Sequence, residues 1–280
     1  MAYKIPVVDR VPTFPGRVTL TPVSGQADTY DMVRADSPIE EGTPINKALF
    51  DQKAYTLTDN VTIYVSPIGS DVTGTGKAEA PYLTIQKAIN DLPKCLGGKE
   101  AIIDVADGTY EERVIIDSFY SGRLTVGVDG KNVTVRGVEV RSSTNVVIKL
   151  SYIKYGGLAG NLLHADYGSN VTIMKDLIIH GESATVSGLT AARGSVITTG
   201  STVEVRGCKA AAVYASSGSR IALGAINGTN GNTSYAIRAD MGGVVSFSSQ
   251  GLTATLGNIT SSGGRILNGS GTTMASASVE

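Results

Sequence analysis

The side chains best suited to chemistry recur at one position of a repeated segment. His164, Tyr214 and Arg238 occupy that position in three copies, and Thr190 occupies it in a fourth. A tyrosine ring can stack on a sugar, and an arginine side chain can hydrogen bond to anionic groups. Together with Asp240, two residues after Arg238, these residues are predicted to form a surface that binds a glycan. The alternative is that this surface packs against a neighbouring chain or is solvated.

Carboxylate pairs, which would indicate a glycosidase, are scarce in the C-terminal part of the chain. Between residues 183 and 279 the only carboxylates are Glu204 and Asp240. Asp166 shares an outward repeat position with Asp240, three coils away, which predicts a separation of about 14 Å at about 4.8 Å per coil. Glycosidase pairs lie roughly 5–10 Å apart, so we predict no catalytic residue within one chain. A pair of Glu204 with Asp240, or a site between chains, stays open.

Other candidate residues are few. His180 is interpreted as an ordinary residue at a strand end, and Cys95 and Cys208 are too few for a four-thiolate zinc site. Clustered oxygen ligands are also missing from the acid-poor stretch, so we predict no metal and no cofactor. A second group of candidate exposed aromatic residues consists of Tyr152, Tyr155 and Tyr167.

The elements that must position these residues repeat with a period near 24. The segments Leu163–Gly168, Leu189–Gly194, Val213–Gly218 and Ile237–Gly242 are similar, and their glycines are 26, 24 and 24 residues apart. Short strands joined by Gly, Ser or Asn turns, with no room for crossover helices, indicate the coils of a parallel β-helix. Alternate residues of a strand face inward. We therefore expect two stacked inward files, one of Leu163, Leu189, Val213 and Ile237 and one of Ala165, Ala191, Ala215 and Ala239.

A short helix is predicted just before the coils. Ile85, Ala88, Ile89 and Leu92 follow the i, i+3, i+4, i+7 pattern of an amphipathic helix, and Thr84 is a suitable N-cap. The helix would end before the following proline. Because the end of an open β-helix exposes strand edges, we expect this helix over residues 84–92 to cover that end.

The first 60 residues are sparse in apolar runs and dense in Pro, Thr and acids. This composition predicts an extended arm with one short helix, capped by Thr43 and with Pro44 at its first position. Such an arm buries little by itself and should order against partner chains. We therefore divide the chain into an attachment and oligomerisation arm (1–60), an opening segment with the capping helix (61–100), the β-helix (101–271, room for roughly seven coils) and a tail (272–280).

Composition excludes several classes of protein. The 280 residues include 24 Lys and Arg and 25 Asp and Glu, without a basic cluster or stripe, so we predict no binding to nucleic acid. No apolar run approaches 18 residues, so we predict no membrane insertion. The first residues lack the apolar stretch of a signal peptide.

Residues 62–120 resemble the first segment of pectate-lyase-like right-handed β-helix proteins. The residues that carry the resemblance are Tyr64–Asp71, Pro81–Tyr82, Thr84–Ile89 and Gly108–Tyr110. It implies an all-β fold, a right-handed single-stranded parallel β-helix with a short N-terminal capping helix, preceded by the extended attachment arm. It says little about function, because such helices serve lyases, hydrolases, esterases and phage tailspikes alike.

Residues 10–55 resemble the leader of tail-fibre and receptor-binding proteins from phages and prophages of Gram-positive hosts. The similar blocks are Pro15–Val18, Thr21–Gly25, Tyr30–Asp36 and Glu41–Lys47. The resemblance implies a homotrimer, attached to phage tail or baseplate proteins through residues 1–60, that recognises a host cell-surface polysaccharide. It also implies a place in the virion after assembly in the host cytoplasm.

Three functions are compatible with the β-helix repeat. The first is a structural, non-enzymatic fibre subunit. The second is a tailspike-type polysaccharide depolymerase, a glycosidase or lyase, on the same scaffold. The third is a free bacterial polysaccharide lyase. The acid-poor coils disfavour the second, and the leader disfavours the third.

Overall fold

The computed structural model describes residues 11–12, 18–25, 29–34, 38–40, 56–157, 160–228, 235–252, 258–260 and 263–268. The chain divides into a small unit, Ala2–Ala54, and a large unit that contains Tyr55–Glu280. The helix predicted at Thr43 and the predicted tail 272–280 lie outside the described residues.

The small unit contains two pairs of short antiparallel strands. β1 (Val11–Pro12) pairs with β4 (Pro38–Glu40). β2 (Val18–Pro22) pairs with β3 (Tyr30–Arg34) as a hairpin in which Leu20 lies opposite Met32. The predicted extended arm therefore folds back on itself in its described part.

The large unit is a parallel β-solenoid of about six turns with one short helix. All of its named strand pairs are parallel. The predicted fold class is thus confirmed, with slightly fewer turns than the seven or so expected. Its strands are β5 (Val61–Val65), β6 (Cys95–Val105), β7 (Gly108–Asp117), β8 (Tyr120–Val126), β9 (Val133–Arg141), β10 (Val146–Ile148), β11 (Tyr152–Lys154), β12 (Leu163–Asp166), β13 (Asn170–Ile173), β14 (Leu177–Ala184), β15 (Leu189–Ala191), β16 (Val196–Thr199), β17 (Val203–Cys208), β18 (Ala211–Ala215), β19 (Arg220–Gly228), β20 (Tyr235–Ala239), β21 (Val244–Leu252), β22 (Asn258–Thr260) and β23 (Arg265–Leu267).

The strands stack into three files, which we call sheets A, B and C. Sheet A contains β5, β6, β8, β10, β13, β16, β19, β21 and β23. Sheet B contains the first part of β7 and β9, then β11, β14, β17 and the ends of β19 and β21. Sheet C contains the second part of β7 and β9, then β12, β15, β18, β20 and β22.

Inward files of apolar side chains form the core. Ala165, Ala191, Ala215 and Ala239 pair in register from coil to coil, as do Leu163, Leu189, Val213 and Ile237. All eight residues are fully buried, so both predicted files are confirmed. The register also extends one coil earlier, where Val138 and Val140 take the same two positions. Because Val140 fits where the later coils have alanine, the position does not require a small residue.

The helix α1 (Ile85–Asn90) confirms the prediction with shorter bounds. The Thr84 hydroxyl accepts a hydrogen bond from the Lys87 N–H, and the helix buries Ile85, Ala88 and Ile89. Its first N–H groups are also bound by Glu112, which accepts from Ile85 N at 2.7 Å and from Gln86 N at 2.9 Å. The helix packs on β5, β6 and β7, the first strands of the solenoid.

A ladder of buried serines runs along the turn between sheets C and A. Ser143, Ser169, Ser195 and Ser219 occupy the same position in four coils and are at most 1% exposed. Each hydroxyl oxygen accepts a hydrogen bond from a backbone N–H of the preceding coil, at 3.0–3.2 Å. These bonds join adjacent coils where the backbone turns between one strand and the next.

Within the described residues, no helix is long and apolar enough to cross a membrane.

Candidate functional site

The residues singled out from the sequence lie on the outer face of sheet C. His164 pairs in register with Thr190, Thr190 with Tyr214, and Tyr214 with Arg238. Because the inward alanines alternate with them, these side chains point outward in a single file. Glu139 precedes His164 in this file. The stacking is as predicted, whereas glycan binding stays a prediction.

Three of the four candidates form one contact cluster, Tyr214, Arg238 and Asp240. The Tyr214 hydroxyl donates to the Asp240 carboxylate, at 3.1 Å from both oxygens. Arg238 holds the same carboxylate through Nε at 3.1 Å and Nη2 at 3.0 Å, and its guanidinium lies 4.9 Å from the Tyr214 ring centre. Burial raises the pKa of Tyr214, and the Asp240 charge adds to this, so the hydroxyl keeps its proton.

His164, the fourth candidate, belongs to a different cluster built around Asp166. Arg193, from the next coil, bonds Asp166 through both Nε (2.7 Å) and Nη2. Its guanidinium lies 4.1 Å from the ring centre of Tyr167. His164 Nε2 lies 3.9 Å from Asp166, and burial lowers the pKa of His164, which leaves its ring neutral at pH 7.

Asp166 is held as an ionised carboxylate. Burial alone would raise the pKa of Asp166, but hydrogen bonds from Arg193 and from the Tyr167 N–H outweigh burial and lower it. Asp166 and Asp240 are 2% and 4% exposed. The sequence pattern predicted that both point outward, but it did not reveal that arginine side chains cover them.

Sequence reasoning missed Arg193, and it placed Tyr167 in a different group from His164. Both occupy the repeat position just before the turn glycine, where the backbone turns with φ of 53° at Tyr167 and 49° at Arg193. Met241 has the same position and a φ of 47°. Left-handed backbone costs a side-chain-bearing residue roughly 1–2 kcal/mol, and Gly or Asn would reduce this cost. The turn geometry therefore does not explain these large residues, two of which, Tyr167 and Met241, are more than half exposed.

Thr190 lies between the two clusters. It is 2% exposed, and its hydroxyl oxygen is buried without a hydrogen-bond partner in the described structure. A buried hydroxyl without a partner is uncommon in proteins. The outer face of sheet C therefore has an unsatisfied polar atom in the middle of its polar file.

The carboxylate pair left open by the sequence is not brought together. Glu204 lies in β17 on sheet B, where its carboxylate is 3.4 Å from Arg206 Nη1, whereas Asp240 directly follows β20 of sheet C. His180 is also on sheet B, 3.1 Å from the Tyr152 hydroxyl. Among the described residues, no group of three or more His, Cys, Asp or Glu could hold a metal ion.

No protein-family model, curated protein or solved structure matches the chain.

Proposed function

We propose that the protein is a structural subunit of a phage or prophage tail or baseplate fibre that recognises a host-surface glycan with sheet C. The resemblance of residues 10–55 to fibre leaders supports the attachment role. The observation that carries the binding role is the pair of clusters on sheet C. In each, a guanidinium lies against a tyrosine ring and is anchored on a buried aspartate.

The N-terminal hairpin supports assembly into an oligomer, which we propose is a homotrimer. Val18 and Leu20 of β2 lie on the same face as Tyr30 and Met32 of β3, and these four side chains are 43–70% exposed. No residue of the small unit whose exposure is described is buried. Because a two-stranded hairpin is marginal by itself, this apolar face should be covered by other copies of the chain. Residues 1–60 would then also join the fibre to tail or baseplate proteins, so that it acts as part of the virion.

Binding without cleavage is the property to test. The purified full chain is incubated with capsule and wall polysaccharides from Gram-positive bacteria. Pull-down measures binding, and assays for reducing ends and unsaturated sugars measure cleavage. We expect binding without new ends. If new sugar chain ends appeared in proportion to the amount of protein, the protein would be a tailspike-type depolymerase and not a structural fibre subunit.

A further inference from the structure

The outer face of sheet C balances its charges internally. Each of its arginines is already bonded to a carboxylate before any ligand arrives. The pairs are Arg113 with Glu139 at 3.3 Å, Arg141 with Glu139 at 2.6 Å, Arg193 with Asp166, and Arg238 with Asp240 at 3.0 Å. A ligand that meets this face therefore meets no free cation among these four groups.

An anionic ligand that took Nε and Nη2 of one of these arginines would have to displace the carboxylate bound there, and at Nη1 alone it would meet a guanidinium whose charge is already balanced. The side chains of Asp166 and Asp240 are only 3% and 5% exposed, so an arginine that turned to a phosphate or uronate would leave a buried charge unpaired. Breaking one partner from a buried ion pair is strongly unfavourable. The sequence suggested that Arg238 could bind anionic groups, whereas the contacts favour an uncharged partner.

Each cluster also offers the features that an uncharged sugar needs. Tyr167 and Arg193 present a ring and a guanidinium that are both about half exposed. In Arg193 and Arg238, Nε and Nη2 hold the aspartate, and Nη1 is not part of that bond. The ring provides an apolar surface for the C–H groups of a sugar, and Nη1 provides N–H donors for its hydroxyls.

The two clusters are arranged for an oligosaccharide. Tyr167 follows β12 and Tyr214 lies in β18, two coils further on. This places the rings about 10 Å apart along the solenoid axis, at about 4.8 Å per coil. The unsatisfied Thr190 hydroxyl belongs to the coil between them. One ligand that reaches both rings would pass over this position.

We propose that sheet C binds an uncharged oligosaccharide through two subsites, Tyr167 with Arg193 and Tyr214 with Arg238. The inference rests on the proposed glycan-binding function and adds the chemical class of the ligand and the residues that bind it.

The test is a glycan array with two matched halves, probed with the full chain. One half carries neutral hexose and N-acetylhexosamine oligosaccharides, and the other carries uronate- and glycerol-phosphate-containing ones. We expect binding to neutral glycans that changes less than about twofold between low and high salt, because few charges are newly paired. Tyr167→Ala and Tyr214→Ala should each weaken binding about tenfold, as expected for loss of about 1.4 kcal/mol.

Tyr120→Ala is the matched control, because Tyr120 is 53% exposed at the start of β8 on sheet A. Circular dichroism and light scattering establish that all variants keep their fold and assembly. Binding only to acidic glycans, with steep salt dependence, would overturn the inference but leave the proposed function standing. Neutral binding that is unaffected by both tyrosine variants would overturn the assignment of the subsites. Binding to neither half would count against glycan recognition itself.

Discussion

The serine ladder should contribute to stability in unequal steps. Ser143→Ala removes the acceptor of the Phe119 N–H, and Ser169→Ala removes the acceptor of the Ser143 N–H. Within the described residues, these two buried N–H groups have no other acceptor. The N–H groups bound by Ser195 and Ser219 differ, because each also reaches a carbonyl of its own coil, at 3.3 Å and 3.2 Å.

This difference sets the expected magnitudes. A buried N–H left without an acceptor costs about 1–3 kcal/mol, so Ser143→Ala and Ser169→Ala should each destabilise by about 2 kcal/mol. Where a second acceptor remains, only the net value of one hydrogen bond is lost, so Ser195→Ala and Ser219→Ala should cost about 1 kcal/mol. For a domain of this size, 1 kcal/mol lowers Tm by about 2–4 °C.

The assay is urea and thermal unfolding followed by circular dichroism, with refolding checked from the denatured state. The control is Ser217→Ala, which changes an exposed serine in the same turn and should leave Tm unchanged. If all four ladder variants lost the same stability, the second acceptors would have no energetic value. If none differed from the control, the ladder would not stabilise the turn, and the reasoning would be wrong.

Three further results are expected. The double variant Leu20→Ser and Met32→Ser should lower the mass measured by light scattering from about three chains of 29.0 kDa to one and leave the solenoid unchanged. Matched substitutions on the opposite face of the hairpin should leave the mass at about three chains. Asp166→Asn should remove a stabilisation that is complete above the ordinary aspartate pKa of 3.8 and is lost as pH falls through the lowered value. Wild type and this variant should thus differ in urea midpoint at pH 7 and converge in acid; a constant difference would contradict the assignment. Gly243→Ala should lower the free energy of unfolding by about 1–3 kcal/mol, because the new Cβ would lie 2.3 Å from a backbone oxygen of the preceding coil. Gly218→Asn is the control, since this glycine has a φ of 71° and open space around it, and the change should be nearly neutral in urea unfolding.

The sequence was sufficient for the stacking but not for the contacts made by side chains between coils. The alanine files follow from a period near 24 and from strand alternation, both of which are properties of the sequence. The Arg193–Asp166 bond joins residues 27 positions apart and depends on the direction that the Arg193 side chain takes from a left-handed turn. No repeat pattern encodes that direction, so the burial of Asp166 could not be predicted.

The serine ladder was predictable in principle. Ser169, Ser195 and Ser219 each directly follow the glycine of the repeat. The pattern is ambiguous, because serine after glycine also suits an ordinary exposed turn. Burial distinguishes the two cases, since each ladder hydroxyl faces a backbone N–H of the preceding coil and not solvent.

The same spacing that organises sheet C bears on whether it could cleave the glycan it is proposed to bind. Asp166 and Asp240 are three coils apart, about 14 Å at about 4.8 Å per coil, which exceeds the roughly 5–10 Å of glycosidase pairs. A general acid also needs a raised pKa, whereas the bond to Arg193 lowers the pKa of Asp166. The contacts that hold each guanidinium against a tyrosine ring thus occupy the carboxylates that acid–base chemistry would need. Within one chain, these clusters are suited to hold a sugar and poorly suited to protonate its glycosidic oxygen.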